Sequence, residues 1–140
     1  MAAPFKASLI TPESVVLETM VVSAQVPAFD GLVGVLHRRA PLLARLATGV
    51  LRLDTTGAGG GSGGGAQRYF VSGGYAQMKD DELTILTTEA IPAGQVTAEM
   101  ISKEQEKLAG IKGVDKDAME QRAAVQARIY TMRGLVGSAN

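Results

Sequence analysis

Arg68-Tyr69-Phe70-Val71-Ser72-Gly73-Gly74-Tyr75-Ala76-Gln77-Met78-Lys79-Asp80-Asp81-Glu82-Leu83-Thr84-Ile85-Leu86-Thr87 holds three short runs, 68–72, 75–78 and 83–87, separated by turn residues. Aromatic and branched residues fill the runs, as in strands. Lys79-Asp80-Asp81-Glu82 reads as a solvated hairpin turn, and Ser72-Gly73-Gly74 as a bulge or a close backbone approach. The same texture extends toward the N-terminus. Phe5, Ala7 and Leu9 alternate with Lys6 and Ser8. Val15 to Glu18 follows the turn-like Thr11-Pro12-Glu13. Met20 to Pro27 is a longer run, with Val22, Ala24 and Val26 on one face. Val33 to Leu36 is short, Leu42, Ala44 and Leu46 alternate, and Val50 to Asp54 precedes a glycine tract. Short strands with closely spaced turns predict an antiparallel β-sandwich.

The composition changes after Ile91. Residues 97–136 are rich in Ala, Glu, Lys, Gln, Arg and Met, which favours helix. Thr97 is placed to cap a first helix, with Glu99 in its first turn. Ile101, Leu108 and Ile111 share a side, and Glu99–Lys103 has the favourable i,i+4 order. Gly110 and Gly113 end that helix, and Asp115 caps a second. There Ala118, Val125, Ile129, Met132 and Val136 form one stripe at helical spacing. Arg122, Arg128 and Arg133 flank the stripe, with no acidic residue after Glu120, so this helix is locally cationic. The expectation is a β plus α chain: a sandwich over 1–91 and an αα-hairpin over 92–140. The stripe is expected to pack on the preceding helix or on the sheet, with the arginines in water. Two short helices need a packing surface, and the Pro92-Ala93-Gly94 segment would let the hairpin swing to another site.

Composition limits the chemistry. Lys plus Arg and Asp plus Glu each number 14 in 140 residues, so no overall field draws in nucleic acid or an anionic membrane. Six aromatic residues make a base-stacking platform an unsuitable reading. With no Cys and only His37, thiolate and His-rich metal sites are excluded. A serine hydrolase would need Ser72 with His37 as base, without the nucleophile-elbow motif and with His37 beside Arg38 and Arg39. His37-Arg38-Arg39 reads as a basic loop suited to an acidic partner, lipid headgroups or plain solvation. The tract at 57–65, Gly-Ala-Gly-Gly-Gly-Ser-Gly-Gly-Gly, lacks the Lys-Ser or Lys-Thr of a phosphate loop and reads as a flexible hairpin insertion. No window approaches 18 apolar residues, and Met1 to Pro12 carries no apolar leader-like core.

The order of motifs resembles one family, the epsilon subunit of F-type ATP synthases, whose mitochondrial equivalent is called delta. Leu9-Ile10-Thr11-Pro12-Glu13 is similar to its opening strand and turn. Ala24-Gln25-Val26-Pro27 and Asp30-Gly31-Leu32-Val33-Gly34-Val35-Leu36 resemble its valine-rich strand and glycine loop. Ala40-Pro41-Leu42-Leu43, Gly49-Val50-Leu51-Arg52-Leu53, Val71-Ser72-Gly73-Gly74-Tyr75 and Leu83-Thr84-Ile85-Leu86-Thr87 follow in the family's order, then Glu89-Ala90-Ile91 and two helices. The resemblance implies a non-catalytic rotor subunit of the central stalk, without cofactor, metal or catalytic residue. It implies binding to the gamma subunit and the c-subunit ring, coupling of proton flow to rotation, and a peripheral place on the cytoplasmic face of the bacterial inner membrane through the complex alone. Asp30, Gly31 and Leu32 align with the loop that approaches the ring. The hairpin is expected to reach the alpha/beta catalytic head and hinder ATP hydrolysis, with Arg122, Arg128 and Arg133 meeting an acidic segment of beta. Three departures stand out: His37-Arg38-Arg39 replaces the frequent Pro-x-His before Ala-Pro, the glycine tract at 57–65 is an unusual insertion, and Val96-Thr97-Ala98-Glu99-Met100-Ile101 lacks the Asp and Arg of the ATP-binding motif of some members. A generic sandwich binding module with a helical interaction hairpin is the alternative reading.

Overall fold

The computed structural model describes residues 4–36, 40–55 and 65–137. The basic loop His37-Arg38-Arg39 and the glycine tract up to Gly64 lie outside the described residues. Among the described residues, nine strands precede two helices: β1 Phe5–Ile10, β2 Val15–Ala28, β3 Gly31–Leu36, β4 Leu42–Arg45, β5 Thr48–Thr55, β6 Ala66–Ser72, β7 Tyr75–Lys79, β8 Glu82–Leu86, β9 Ala90–Pro92, α1 Ala98–Gly110 and α2 Lys116–Gly137. A 3-10 turn, Ala93–Gln95, leads from β9 toward α1. The chain is therefore a β-sandwich followed by a helical hairpin, as the alternation of apolar residues predicts.

The strands run in the order β4-β7-β8-β1-β2-β5-β6-β9, with β3 paired to β2. Every pair is antiparallel except β1–β8, which is parallel. The sequence predicts separate strands at Val15–Glu18 and Met20–Pro27; the structure has one strand of 14 residues. Its first half pairs with β1 and its second with β3 and β5, so β2 belongs to both layers. A register shift between Val21 and Ser23 separates the halves. This irregularity corrects the expected face: Val21, Ala24 and Val26 are buried, whereas Val22 is only half-buried. One extra residue in a bulge changes which side of the strand meets the core. β9 is an addition to the expected strands. It is only three residues long and closes the edge beside β6.

Two apolar clusters follow from strand alternation. Phe5, Ala7 and Leu9 of β1, Leu51 and Leu53 of β5, and Leu83 and Ile85 of β8 belong to the interior of the sandwich. The residues between them face outward. Along β6, Tyr69 and Val71 join that interior, while Phe70 turns the other way and is fully buried under the hairpin with Val96, Ile101, Ile129, Met132 and Leu135. Ser72-Gly73-Gly74 is the close approach its composition suggests. A Cβ on Gly74 would stand 1.9 Å from the Leu86 carbonyl oxygen, at a φ of +109°.

Candidate functional site

The hairpin folds back on the sandwich, and both helix starts are built as their sequences predict. Thr97 Oγ1 accepts from the Met100 amide at 3.3 Å, and Asp115 Oδ1 accepts from the Ala118 amide at 3.1 Å. Each satisfies an amide that the first turn leaves without a partner. Ile129, Met132 and Leu135 carry α2 onto β5 and β6. Leu135 is an addition to the expected stripe, at i+3 from Met132. On α1 the ion pair that forms is Lys107 Nζ to Glu104 Oε2 at 2.9 Å, in place of the expected Glu99–Lys103 pair.

The three arginines have different surroundings. Arg122 Nη2 donates to the Gly113 carbonyl at 2.8 Å and so ties α2 to the α1–α2 loop. Arg133 is exposed, at the rim of an open cleft of about 1170 Å³ between α2 and the sheet, which Arg52 and Arg68 also line. Arg128 departs from the expectation of arginines in water, because its side chain is only 20% exposed. Its Nη1 lies 2.7 Å from Glu89 Oε1, between β8 and β9, and its Nε donates to Glu104 Oε1 at 2.7 Å. The guanidinium carbon sits 5.1 Å from the centre of the Phe70 ring. One side chain thus joins α2 to α1, to the β8–β9 segment and to the outward face of β6.

Glu104 is the functional candidate that the sequence reading missed. Its side chain is 6% exposed, and burial pushes its pKa up. Hydrogen bonds from Arg128 and Lys107 pull the other way and win, so the net shift is downward from 4.5. Burial likewise opposes the Arg128 charge, and the bonds with Glu89 and Glu104 outweigh it, raising the pKa. A signal was present: Glu104 lies at i+3 from Ile101 and i−4 from Leu108, on the apolar face of α1. An acid in that position calls for a cation from the facing helix.

At the other candidate site, Phe29-Asp30 turns β2 into β3, and Gly31 adopts a φ of +134°. The Phe29 amide donates to the Arg45 carbonyl at 2.7 Å, holding the turn against β4. Asp30, Gly31 and Leu32 are all exposed, Leu32 at 66% and the neighbouring Phe29 at 69%. The Arg45 guanidinium carbon stands 5.0 Å from the Phe29 ring centre. Two large apolar side chains exposed on one loop tip are the kind of surface that a partner covers. Phe29 and Arg45 extend the predicted Asp30, Gly31 and Leu32 site. Among the described residues no group of three His, Cys, Asp or Glu is arranged to hold a metal ion. No described helix is long and apolar enough to cross a membrane.

A sandwich with a helical hairpin folded onto it defines the class to which this chain is related. Residues 4–93 match the family described as ATP synthase, Delta/Epsilon chain, beta-sandwich domain. An ATP synthase epsilon chain of Rhodopirellula baltica is 36% identical over 126 residues, covering 90% of this chain and 91% of the relative. One of Paramagnetospirillum magneticum is 32% identical, covering 99% and 98%. The chain belongs to the ATP synthase epsilon family. Among solved structures, a chain of the Euglena gracilis mitochondrial ATP synthase, in a structure of its OSCP, F1 and c-ring, shares the fold. Its TM-score is 0.79 at 22% identity, covering 97% of this chain and 83% of the other.

Proposed function

We propose that this chain is a non-catalytic rotor subunit of the central stalk of a proton-translocating F-type ATP synthase. It binds the gamma subunit, sets the exposed tip Asp30-Gly31-Leu32 against the c-subunit ring, and couples ring rotation to the alpha/beta head. Its place is peripheral, on the cytoplasmic face of a bacterial inner membrane, held there by the complex. The sandwich, 1–91, and the hairpin, 92–140, act as separate working units, and the hairpin hinders ATP hydrolysis when Arg122, Arg128 and Arg133 reach an acidic surface of the head. The observation that carries this reading is the hairpin's seat. Among the described residues, six buried residues form its cluster, against sixteen in the sandwich interior, which supports its leaving without opening the sandwich. The proton is the expected coupling ion; the Propionigenium modestum relative, 29% identical, is named sodium ion specific.

Affinity purification of the tagged chain from its native membranes tests the assignment. Recovery of alpha, beta, gamma and c subunits is the expected result, and recovery of the chain alone from membranes containing intact synthase refutes it. Removal of residues 97–140 in the assembled enzyme is expected to raise ATP hydrolysis; unchanged hydrolysis removes the inhibitory part. Leu32→Asp is expected to leave the fold intact, because the side chain is exposed, while weakening ion-driven ATP synthesis relative to hydrolysis.

A further inference from the structure

Arg128 is at once a predicted contact to an acidic partner and the side chain that ties the hairpin to the sandwich. We propose that Arg128 is a latch: its pairing with Glu89 holds the hairpin down, and an acidic partner surface gains Arg128 only by displacing Glu89. The latch follows from geometry, and its consequence for hydrolysis rests on the inhibitory reading above.

Ownership of the partners carries the argument. Glu104 and Lys107 are on α1 and travel with the hairpin, so Arg128–Glu104 survives when the hairpin leaves. Glu89 and Phe70 stay with the sandwich, so Arg128–Glu89 and the stacking on Phe70 are what departure breaks. Two of the guanidinium nitrogens already meet carboxylates at 2.7 Å, and one face lies over the ring. A guanidinium so occupied offers little to a second acidic surface. The pair is only partly buried, with side chains 20% and 38% exposed, so breaking it carries a modest cost. A carboxylate from the partner that takes the place of Glu89 offsets that cost. Arg122, bonded to Gly113 within the hairpin, and the exposed Arg133 carry no such restriction. They are the cations available for first contact, and Arg128 engages last.

Glu89→Gln tests the latch without altering the hairpin. The side chain is 38% exposed, so the change is readily accommodated. Hydrogen exchange of the full-length chain, read by mass spectrometry, is expected to show α1 and α2 amides exchanging about fivefold faster, from the loss of one partly exposed ion pair. Amides of β1, β7 and β8 are expected to keep their protection. Arg128→Met should loosen the hairpin at least as much. In the assembled synthase the two variants are expected to diverge, with Glu89→Gln deepening inhibition of hydrolysis and Arg128→Met relieving it. Hairpin exchange in Glu89→Gln within about twofold of wild type overturns the latch, whatever hydrolysis does. Faster hairpin exchange with hydrolysis unmoved by either variant upholds the latch and removes its inhibitory consequence.

Discussion

Phe70→Ala and Val71→Ala change adjacent residues of one strand and are expected to fail in different places. Both side chains are fully buried, but Phe70 lies under the hairpin and Val71 lies inside the sandwich. Truncating a buried Phe costs roughly 3–5 kcal/mol. The lost stacking under Arg128 adds about 0.5–2 kcal/mol for a partly desolvated cation over a ring. Phe70 is the only aromatic among the six residues of the hairpin cluster, so this sum is large relative to that cluster's total. The cost should be expressed as release of the hairpin, because leaving the seat is easier than opening the sandwich. Val71→Ala removes about two methylene equivalents, roughly 2 kcal/mol with its cavity, and should weaken the sandwich while the hairpin remains seated. Hydrogen exchange resolved to peptides separates the outcomes. For Phe70→Ala, protection in α1 and α2 should fall by two orders of magnitude or more with β1, β7 and β8 little changed. Equal loss of protection throughout the chain in Phe70→Ala would show that hairpin and sandwich open as one unit and would refute the reasoning.

Gly74→Ala is expected to destabilise by roughly 2–4 kcal/mol or to prevent folding, since a methyl group there meets the Leu86 carbonyl at a positive φ; a melting temperature within a few degrees of wild type would contradict this. Acid should weaken the hairpin through Glu104. Its folded-state pKa lies below 4.5, so its contribution is fully present above that value and is lost as pH falls through the lower folded value. The difference in denaturation midpoint between wild type and Glu104→Gln should accordingly shrink as pH drops below 4.5, and a difference that stays constant would remove Glu104 as the source.

Alternation along β1, β5 and β8 was legible because the buried residues of each stand at every second position, the irregularity of β1 falling only after Leu9, and a period of two then assigns both faces. Where register slips, the same rule misleads. Val21 to Ser23 places Val22 off the core because β2 must leave one layer and enter the other, and nothing local to Met20–Pro27 announces a second set of partners. The helix caps were legible because Thr97 and Asp115 act on amides three residues away. The Arg128 cluster was only half legible. A cationic helix is a property of composition, but whether a given arginine is hydrated or paired depends on Glu89 and Glu104, which are 39 and 24 residues distant in the chain. Asp30, Gly31 and Leu32 were singled out only through the family resemblance, while Phe29 and Arg45 meet only because β4 returns beside the end of β2.

The length of β2 has a mechanical consequence. Its 14 residues span roughly 45 Å at the usual strand rise, and the Phe29–Leu32 tip follows directly from its C-terminal end. A tangential or axial load applied at that tip enters a single spar anchored to β1 at one end and to β3 and β5 at the other. For the component along the strand, the inter-strand hydrogen bonds lie across the pull and share it in shear rather than parting one after another. The hairpin, packed mainly on β5 and β6, stands beside this path. On the proposed reading, its detachment and return leave the load path through the tip intact.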